Sequence, residues 1–433
     1  MAVSFTSELA DFATGTHDIP DGASRMAALS LLDWLAVGRA GVTEPVAKVV
    51  RTLAHQEAGA PQARVFGART RAPARMAALV NGTTTHALDY DDTHFAHIGH
   101  PSVAVFPAAL AVAELVGAGR SDLKQAALIG MEASIRTGLW LGRAHYQIGF
   151  HQTATAGAFG AAVAAGRLLG LNAQAMTHVL GLTATRAAGL KAQFGTMGKP
   201  YNAGQAAACG VEAAQLVSAG FHSNPAALDG PQGFGATHHG DSDATALDGI
   251  GAQWLFETVS HKFHACCHGL HAALEALELL RPVSHDQVGS VTINTHPRWM
   301  TVCNQIAPMT GLGAKFSYST VTALTLLGHD TARLATYDDG LCADPAVQAL
   351  RKQVTVVADE TLSETEAEVR IALMDGDERT ARHDLQAPMS VDARRGRVQA
   401  KAAALIGHDA MDEAWAVISS DGPVADLADL VCA

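Results

Sequence analysis

The chain has 433 residues, 48% of them apolar, enough for two or three domains around a large core; its 41 Gly and only 5% aromatic residues suit helices packed closely through small side chains. A formal charge of −12, from 30 basic and 42 acidic residues with no Lys/Arg block, argues against a nucleic-acid partner, because phosphate neutralisation needs clustered cations, yet local fields leave room for an anionic substrate. Six Cys in so long a chain, with Cys266 and Cys267 adjacent, do not make a disulfide framework and point to a reducing compartment, with the cytoplasm the expectation.

The opening MAVSFTSELADFATG lacks a basic segment followed by an apolar one, so no secretory signal is expected. Ala28, Leu31, Leu32 and Leu35 recur at helical spacing and predict a helix ended by Gly38. Further Ala-rich helices are predicted to begin near Arg75, Pro101, Asp122, Thr153, Asn172, Tyr201 and Cys267. The most apolar stretch, 154–171, is Ala and Gly with Arg167 inside it, which fits a buried helix and not a membrane span. Residues 222–250 are rich in Gly, Asp and His and read as a long irregular connection of the kind that touches functional sites.

The character changes after Leu280. Val291–Thr295 alternates like a strand, 354–357 is β-rich, and Val369, Ile371 and Leu373 alternate into a hairpin signal at Asp375-Gly376. A helix over Phe316–Leu327 sits among them, stopped by Gly328, and helix returns near Val391. The expected fold is mostly α, with a large all-helical domain over 1–270 and a smaller α+β domain over 271–394; residues 395–433 either close the small domain or return to the helical one.

No G-x-G-x-x-G after a strand, P-loop, G-x-S-x-G elbow or H-E-x-x-H is present, so chemistry must come from acid–base residues or from a metal held by His and Cys. Three polar residues stand at the starts of small-residue helices: His100 before Pro101-Ser102, His151 before Gln152-Thr153, and Lys199 before Pro200. Free N–H groups and the macrodipole make such starts attractive to anions, and an imidazole or ammonium adds a proton donor or a cation. Each alone reads better as plain capping; converging, the three would form a pocket for two or three carboxylates. Asp89, Asp91 and Asp92 precede His100 and cannot all be buried and charged without partners.

His261, His264, His268 and His271 are spaced 3, 4 and 3 apart and would share one face of a continuous helix, which invites a zinc reading with Cys266 or Cys267 assisting. No C-x-x-C or second ligand pair supports it, so no metal site is assigned, and a zinc-binding helical protein through His264 and His268 stands only as the non-enzymatic alternative. Lys262, in that same stretch, must find an anion or lose its charge if buried.

In order, SLLDWLAVGRAG, NGTTTHALDYDDTH, GHPSVAVFPAALAVAE, GFHQTATAGAFGAAVAAGRLLGL, FGTMGKPYNAGQAAACGVEAAQL, KFHACCHGLHAALEAL and TGLGAKFSYSTVTALTLLG resemble the MmgE/PrpD family, well over about residues 20–330 and weakly in the tail. The family contains 2-methylcitrate dehydratase, cis-aconitate decarboxylase and iminodisuccinate epimerase. The resemblance implies a large helical domain to which the chain's end returns, an α+β lid domain, a homodimer, no metal or organic cofactor, and a small polycarboxylate substrate. It implies Asp89 and Thr93 from D-x-D-D-T, His100 from H-P-S, His151 from F-H-x-T, Lys199 from K-P, and Lys262. Where cis-aconitate decarboxylases carry a His five residues after that Lys, this chain has Cys267 with His268 next, so these two are expected to contact substrate and decarboxylation is placed in doubt.

The three activities share proton transfer at a carbon beside a carboxylate, which requires the carboxylates to be neutralised and the developing charge to meet fixed donors. The expectation is that Lys199, Lys262 and the helix starts bind carboxylates, and that His100 or His151 acts as base or acid with Asp89 orienting one of them. Dehydration of a hydroxy-polycarboxylate is the first reading; epimerisation and decarboxylation are the alternatives.

Overall fold

The computed structural model describes residues 4–432. The first three residues of the N-terminal stretch read above lie outside them; from Ser4, whose hydroxyl accepts from the Ser7 N–H, the stretch forms a helix. The chain folds mostly as α-helix with a smaller α+β part, and divides into two compact units. One runs to His261 and resumes at Val398; the other is Lys262–Arg397. Among the described residues no helix is long and apolar enough to cross a membrane.

The first unit contains α1 (Phe5–Thr14), α2 (Asp21–Gly41), α3 (Pro45–Glu57), α4 (Ala74–Thr85), α5 (Ser102–Val116), α6 (Arg120–Ile148), α7 (Gln152–Leu168), α8 (Ala173–Arg186) and α9 (Gly198–Ser218). Its centre is α7, packed on α5, α6 and α9, with α4 against α5 and α9. The small residues act where backbones touch. A Cβ on Gly130 of α6 would lie 2.6 Å from the Gly160 carbonyl of α7, and one on Gly160 2.5 Å from the Gly130 carbonyl. Only glycines allow that approach. Gly38 has the same use. It does not end α2, as its position predicted, but lies inside it, where a Cβ would meet the Phe66 ring at 2.5 Å.

From Val398 the tail rejoins this unit, and helices His408–Ser419 and Val424–Cys432 pack on α2 and α5. Arg120 at the start of α6 holds them through Asp426 at 2.7 Å and the Ser420 hydroxyl at 3.1 Å. The 222–250 connection is irregular apart from the short helix Phe234–Thr237. It wraps the end of α6: Asp241 and Asp243 N–H groups bond the Leu141 and Trp140 carbonyls beside Gly142, where α6 kinks with φ 72°.

The second unit carries one sheet, ordered β2-β1-β3-β4, from β1 (Val288–Thr295), β2 (Val354–Ala358), β3 (Glu366–Leu373) and β4 (Glu378–Asp384). β1 pairs parallel with β2 and antiparallel with β3; β3 and β4 form the hairpin signalled by Asp375-Gly376, with Gly376 at φ 97°. Helix His271–Leu279 covers β3 and β4, and the predicted helix near 316–327 spans Tyr318–Leu326 from a Ser317 cap, packing Ala323 and Leu324 on Val347 and Leu350 of helix Pro345–Arg351.

Candidate active site

The candidate site of the first unit is organised by the turn between α4 and α5. Asp89 takes φ 50° and Ile98 φ 53°, a left-handed conformation that Asp tolerates better than most residues. The turn is fixed at several points. Thr93 pairs its backbone with Ser260, and its hydroxyl lies 3.4 Å from the same carbonyl. His94 pairs with Gly99 and places Nε2 3.0 Å from the Leu255 carbonyl. Glu132 of α6 accepts the Leu255 and Phe256 N–H groups at 3.1 and 2.9 Å while paired with Arg136 at 2.8 Å. Asp92 receives the Ser102 hydroxyl at 2.5 Å; burial, opposed by that bond and reinforced by nearby Asp33, pushes its carboxyl up to about 7.

The three helix starts are built differently from one another. His100 stands one residue ahead of Pro101, the capping residue of α5, and its N–H donates to the Thr153 hydroxyl at 3.1 Å. His151 is itself the capping residue of α7. Lys199 lies inside the first turn of α9, with Pro200 third in that helix.

Their side chains meet. Asp91, fully buried, has one oxygen 2.7 Å from Nδ1 of His100 and the other 3.0 Å from Nδ1 of His86. Asp89 lies 2.7 Å from the Lys199 ammonium and 3.6 Å from Nε2 of His100. The His86 ring stands edge-on to His100 at 4.6 Å and stacks on His151 at 5.9 Å. Asn202, one turn along α9 from Lys199, donates its amide to the Leu190 carbonyl and to Nδ1 of His151, both at 3.3 Å. Phe194 closes on His151 edge-on at 5.0 Å, and the Lys199 ammonium sits 5.3 Å over that ring.

Electrostatics separate the groups. Burial opposes ionisation of Asp91, but the charges and hydrogen bonds of His100 and His86 outweigh it and hold the carboxyl well below its usual range. His151 is held well below the ordinary imidazole value, first by burial and then by His86, Lys199 and His100, so it stays neutral. With Nδ1 accepting from Asn202, its proton sits on Nε2, a neutral donor. Two acidic and two imidazole groups within 4.8 Å resemble a cation site in composition. Asp91 faces two imidazole Nδ1 atoms and Asp89 faces an ammonium, so both carboxylates already have partners within the protein.

Of the sequence-predicted residues, Asp89, His100, His151 and Lys199 therefore meet, with Thr93 in the same turn. His86 and Asn202 belong to the cluster and were not singled out, and Asp91 was named only among the three carboxylates ahead of His100; His86 and Asp91 lie in the HALDYDDTH segment, five residues apart. Asp89, expected to orient a histidine, chiefly faces Lys199, and Asp91 is the carboxylate nearer His100.

Lys262, Cys267 and His268 lie in the second unit. The continuous helix that would align four histidines is absent: 261–267 is irregular, a single 3-10 turn starts at His268, and α-helix starts only at His271. Within this unit His264 bonds Thr331 at 2.6 Å and Glu275 at 3.2 Å, and Arg397 also holds Glu275. Burial opposes it, but these bonds bring Glu275 down to about 2. His271 is pushed well below its usual range by burial and by His268, His264 and Lys262. Cys267 and Cys303 are free thiols in hydrogen-bond contact, which, with burial, pushes the Cys303 thiol up.

A profile for the MmgE/PrpD N-terminal domain matches residues 7–247, and one for the MmgE/PrpD C-terminal domain matches 264–415. A cis-aconitate decarboxylase of Aspergillus terreus is 28% identical over 411 residues, covering 86% of this chain and 83% of that protein. The cis-aconitate decarboxylase of Mus musculus is 26% identical over 431 residues, covering 93% and 87%, and that of Homo sapiens 30% identical over 257 residues, covering 57% and 53%.

Proposed function

Because the chain belongs to the MmgE/PrpD family, we propose that it is a cytoplasmic, homodimeric lyase that moves a proton at a carbon beside a carboxylate of a small polycarboxylic acid. The observation that supports this most is the contrast between two imidazoles in one cluster. His100 lies against carboxylates that favour its protonation; His151 is buried, neutral and presents an N–H. Environments that push like groups apart assign acid–base roles.

In this reading Nε2 of His100 abstracts the proton, and Asp91 stabilises the imidazolium formed. The Nε2–H of His151 meets the charge that develops on the carboxylate oxygens, and Lys199, released from Asp89, neutralises the bound carboxylate. The His100 imidazolium then returns its proton to the departing hydroxide. Thr93 is proposed to contact substrate. By the family resemblance alone, Lys262 is proposed to bind a further carboxylate, and Cys267 and His268 to contact substrate.

Dehydration of a hydroxy-polycarboxylate is the first reading, because Cys267 stands where the resemblance implies a histidine in decarboxylases. Decarboxylation of an unsaturated acid is the second, favoured by the similarity to proteins named cis-aconitate decarboxylase. A thermal-shift panel of citrate, 2-methylcitrate, cis-aconitate and malate, followed by proton NMR of the products, tests both. At least one acid should raise the melting temperature and be converted, giving an alkene without loss of carbon for dehydration and carbon dioxide for decarboxylation. Absence of both stabilisation and turnover across the panel contradicts the proposal.

A further inference from the structure

The sequence marks Asp91 only as one of three carboxylates ahead of His100 that need partners and gives His86 no part, yet the two form the most buried layer of the cluster. Both oxygens of Asp91 are engaged, one toward His100 at 2.7 Å and one toward His86 at 3.0 Å. His86 is 1% exposed and its Nε2 has no hydrogen-bond partner among the described residues. A proton on Nε2 of His86 would be buried with no acceptor, which is costly, so Nδ1 carries the ring's N–H and donates to Asp91. A proton added to this layer is best placed on His100, which also faces Asp89. The charged and titratable groups around His100 are Asp89, Asp91, His86, His97, His151 and, through Asp89, Lys199.

We infer that Asp91 is the positioning residue for His100, fixing the proton of its neutral form on Nδ1 so that Nε2 is the basic atom, and that His86 tunes the base by competing for the same carboxylate. This rests on the reading of His100 as a proton-transfer group and assigns how that group is prepared. A buried carboxylate 2.7 Å from an imidazole nitrogen favours a proton on that nitrogen and stabilises the imidazolium. The third member acts in the opposite sense: each hydrogen bond that His86 gives Asp91 withdraws charge that would otherwise favour protonated His100.

The two variants therefore move His100 in opposite directions. Asp91→Asn removes the charge and should lower its titration midpoint by about one unit or more, moving the acid limb of kcat/KM to lower pH and reducing the plateau about 10²-fold. His86→Leu and His86→Ala, which carry no donor, leave Asp91 to His100 and should move midpoint and limb to higher pH. Ring-¹⁵N NMR of the ligand-free protein reads the midpoint directly, the His100 signals being those lost in His100→Gln. In the wild type the neutral ring should be protonated at Nδ1.

A neutral His100 protonated at Nε2, a midpoint unmoved by both substitutions, or shifts of the same sign overturn the inference. The wild-type tautomer and the His86 variants decide it even if Asp91→Asn does not fold. Undiminished turnover by His100→Gln of whichever panel acid the wild type converts instead sinks the underlying reading of His100, a separate outcome.

Discussion

Burial without a full set of counter-charges makes individual residues of the first unit sensitive to pH. Asp92 is held up to about 7 by burial and by Asp33, so the folded chain keeps a proton that the unfolded chain has already lost above about 4. That group's effect therefore turns against folding as pH rises from about 4 through 7, by about 4 kcal/mol in all. Buried His94, His97 and His145 act on the other side. Burial takes them to about 4, 3 and 4, so the folded state takes up fewer protons and loses stability as pH falls from 6.5 toward those values. Wild-type melting temperature should fall on acidification below pH 6.5. Asp92→Asn, scanned alongside, should gain on the wild type between pH 5 and pH 8, because only the wild type develops the buried charge. A difference that stays flat across that range contradicts the assignment. His100, His151 and Lys199 were legible in the sequence because each adjoins a helix-start signal. Asp91 and His86 were not, since the left-handed turn at Asp89 decides which of three neighbouring carboxylates faces which partner.

At the level of elements, the returning helix Val391–Ile406 contributes one contact to the candidate site. Its Lys401, 2% exposed, lies 2.5 Å from Asp33 of α2, donates to the Tyr90 carbonyl at 2.6 Å and rests over the Tyr90 ring at 4.0 Å. Tyr90 separates Asp89 from Asp91, so this lysine pins the backbone that aims both. Lys401→Met leaves Asp33 buried without its cation and should cost about 3–5 kcal/mol. Adding Asp33→Asn should recover part of that loss in melting temperature. A single variant melting with the wild type would contradict the role. The residue pattern showed that helix but not its destination, which only the family resemblance implied, because an amphipathic tail can cover either unit; buried Lys401 and Arg120 are what commit it. Gly38 and the 261–271 histidines misled for related reasons. Glycine signals a helix stop and a close helix contact equally, and the spacing of His261 and its followers carries no information on whether the backbone between them is helical.

For the whole molecule, composition foretold a helical body built on small residues, and a switch to β alternation foretold the α+β part; the Gly130–Gly160 and β3–β4 pairings realise them. Sequence gives the number of converging helix starts but not the distances between their side chains, and those distances carry the functional reading. The most direct test of that reading is solvent deuterium incorporation. Polycarboxylic acids from the panel would be incubated in D₂O with the wild type, His100→Gln and His151→Gln, and followed by proton NMR. The wild type should lose signal at a carbon beside a carboxylate, or convert it to alkene, with at least one acid, and each variant should be slower by about 10²-fold or more. No exchange or conversion by the wild type, or equal rates in all three proteins, would contradict that reading.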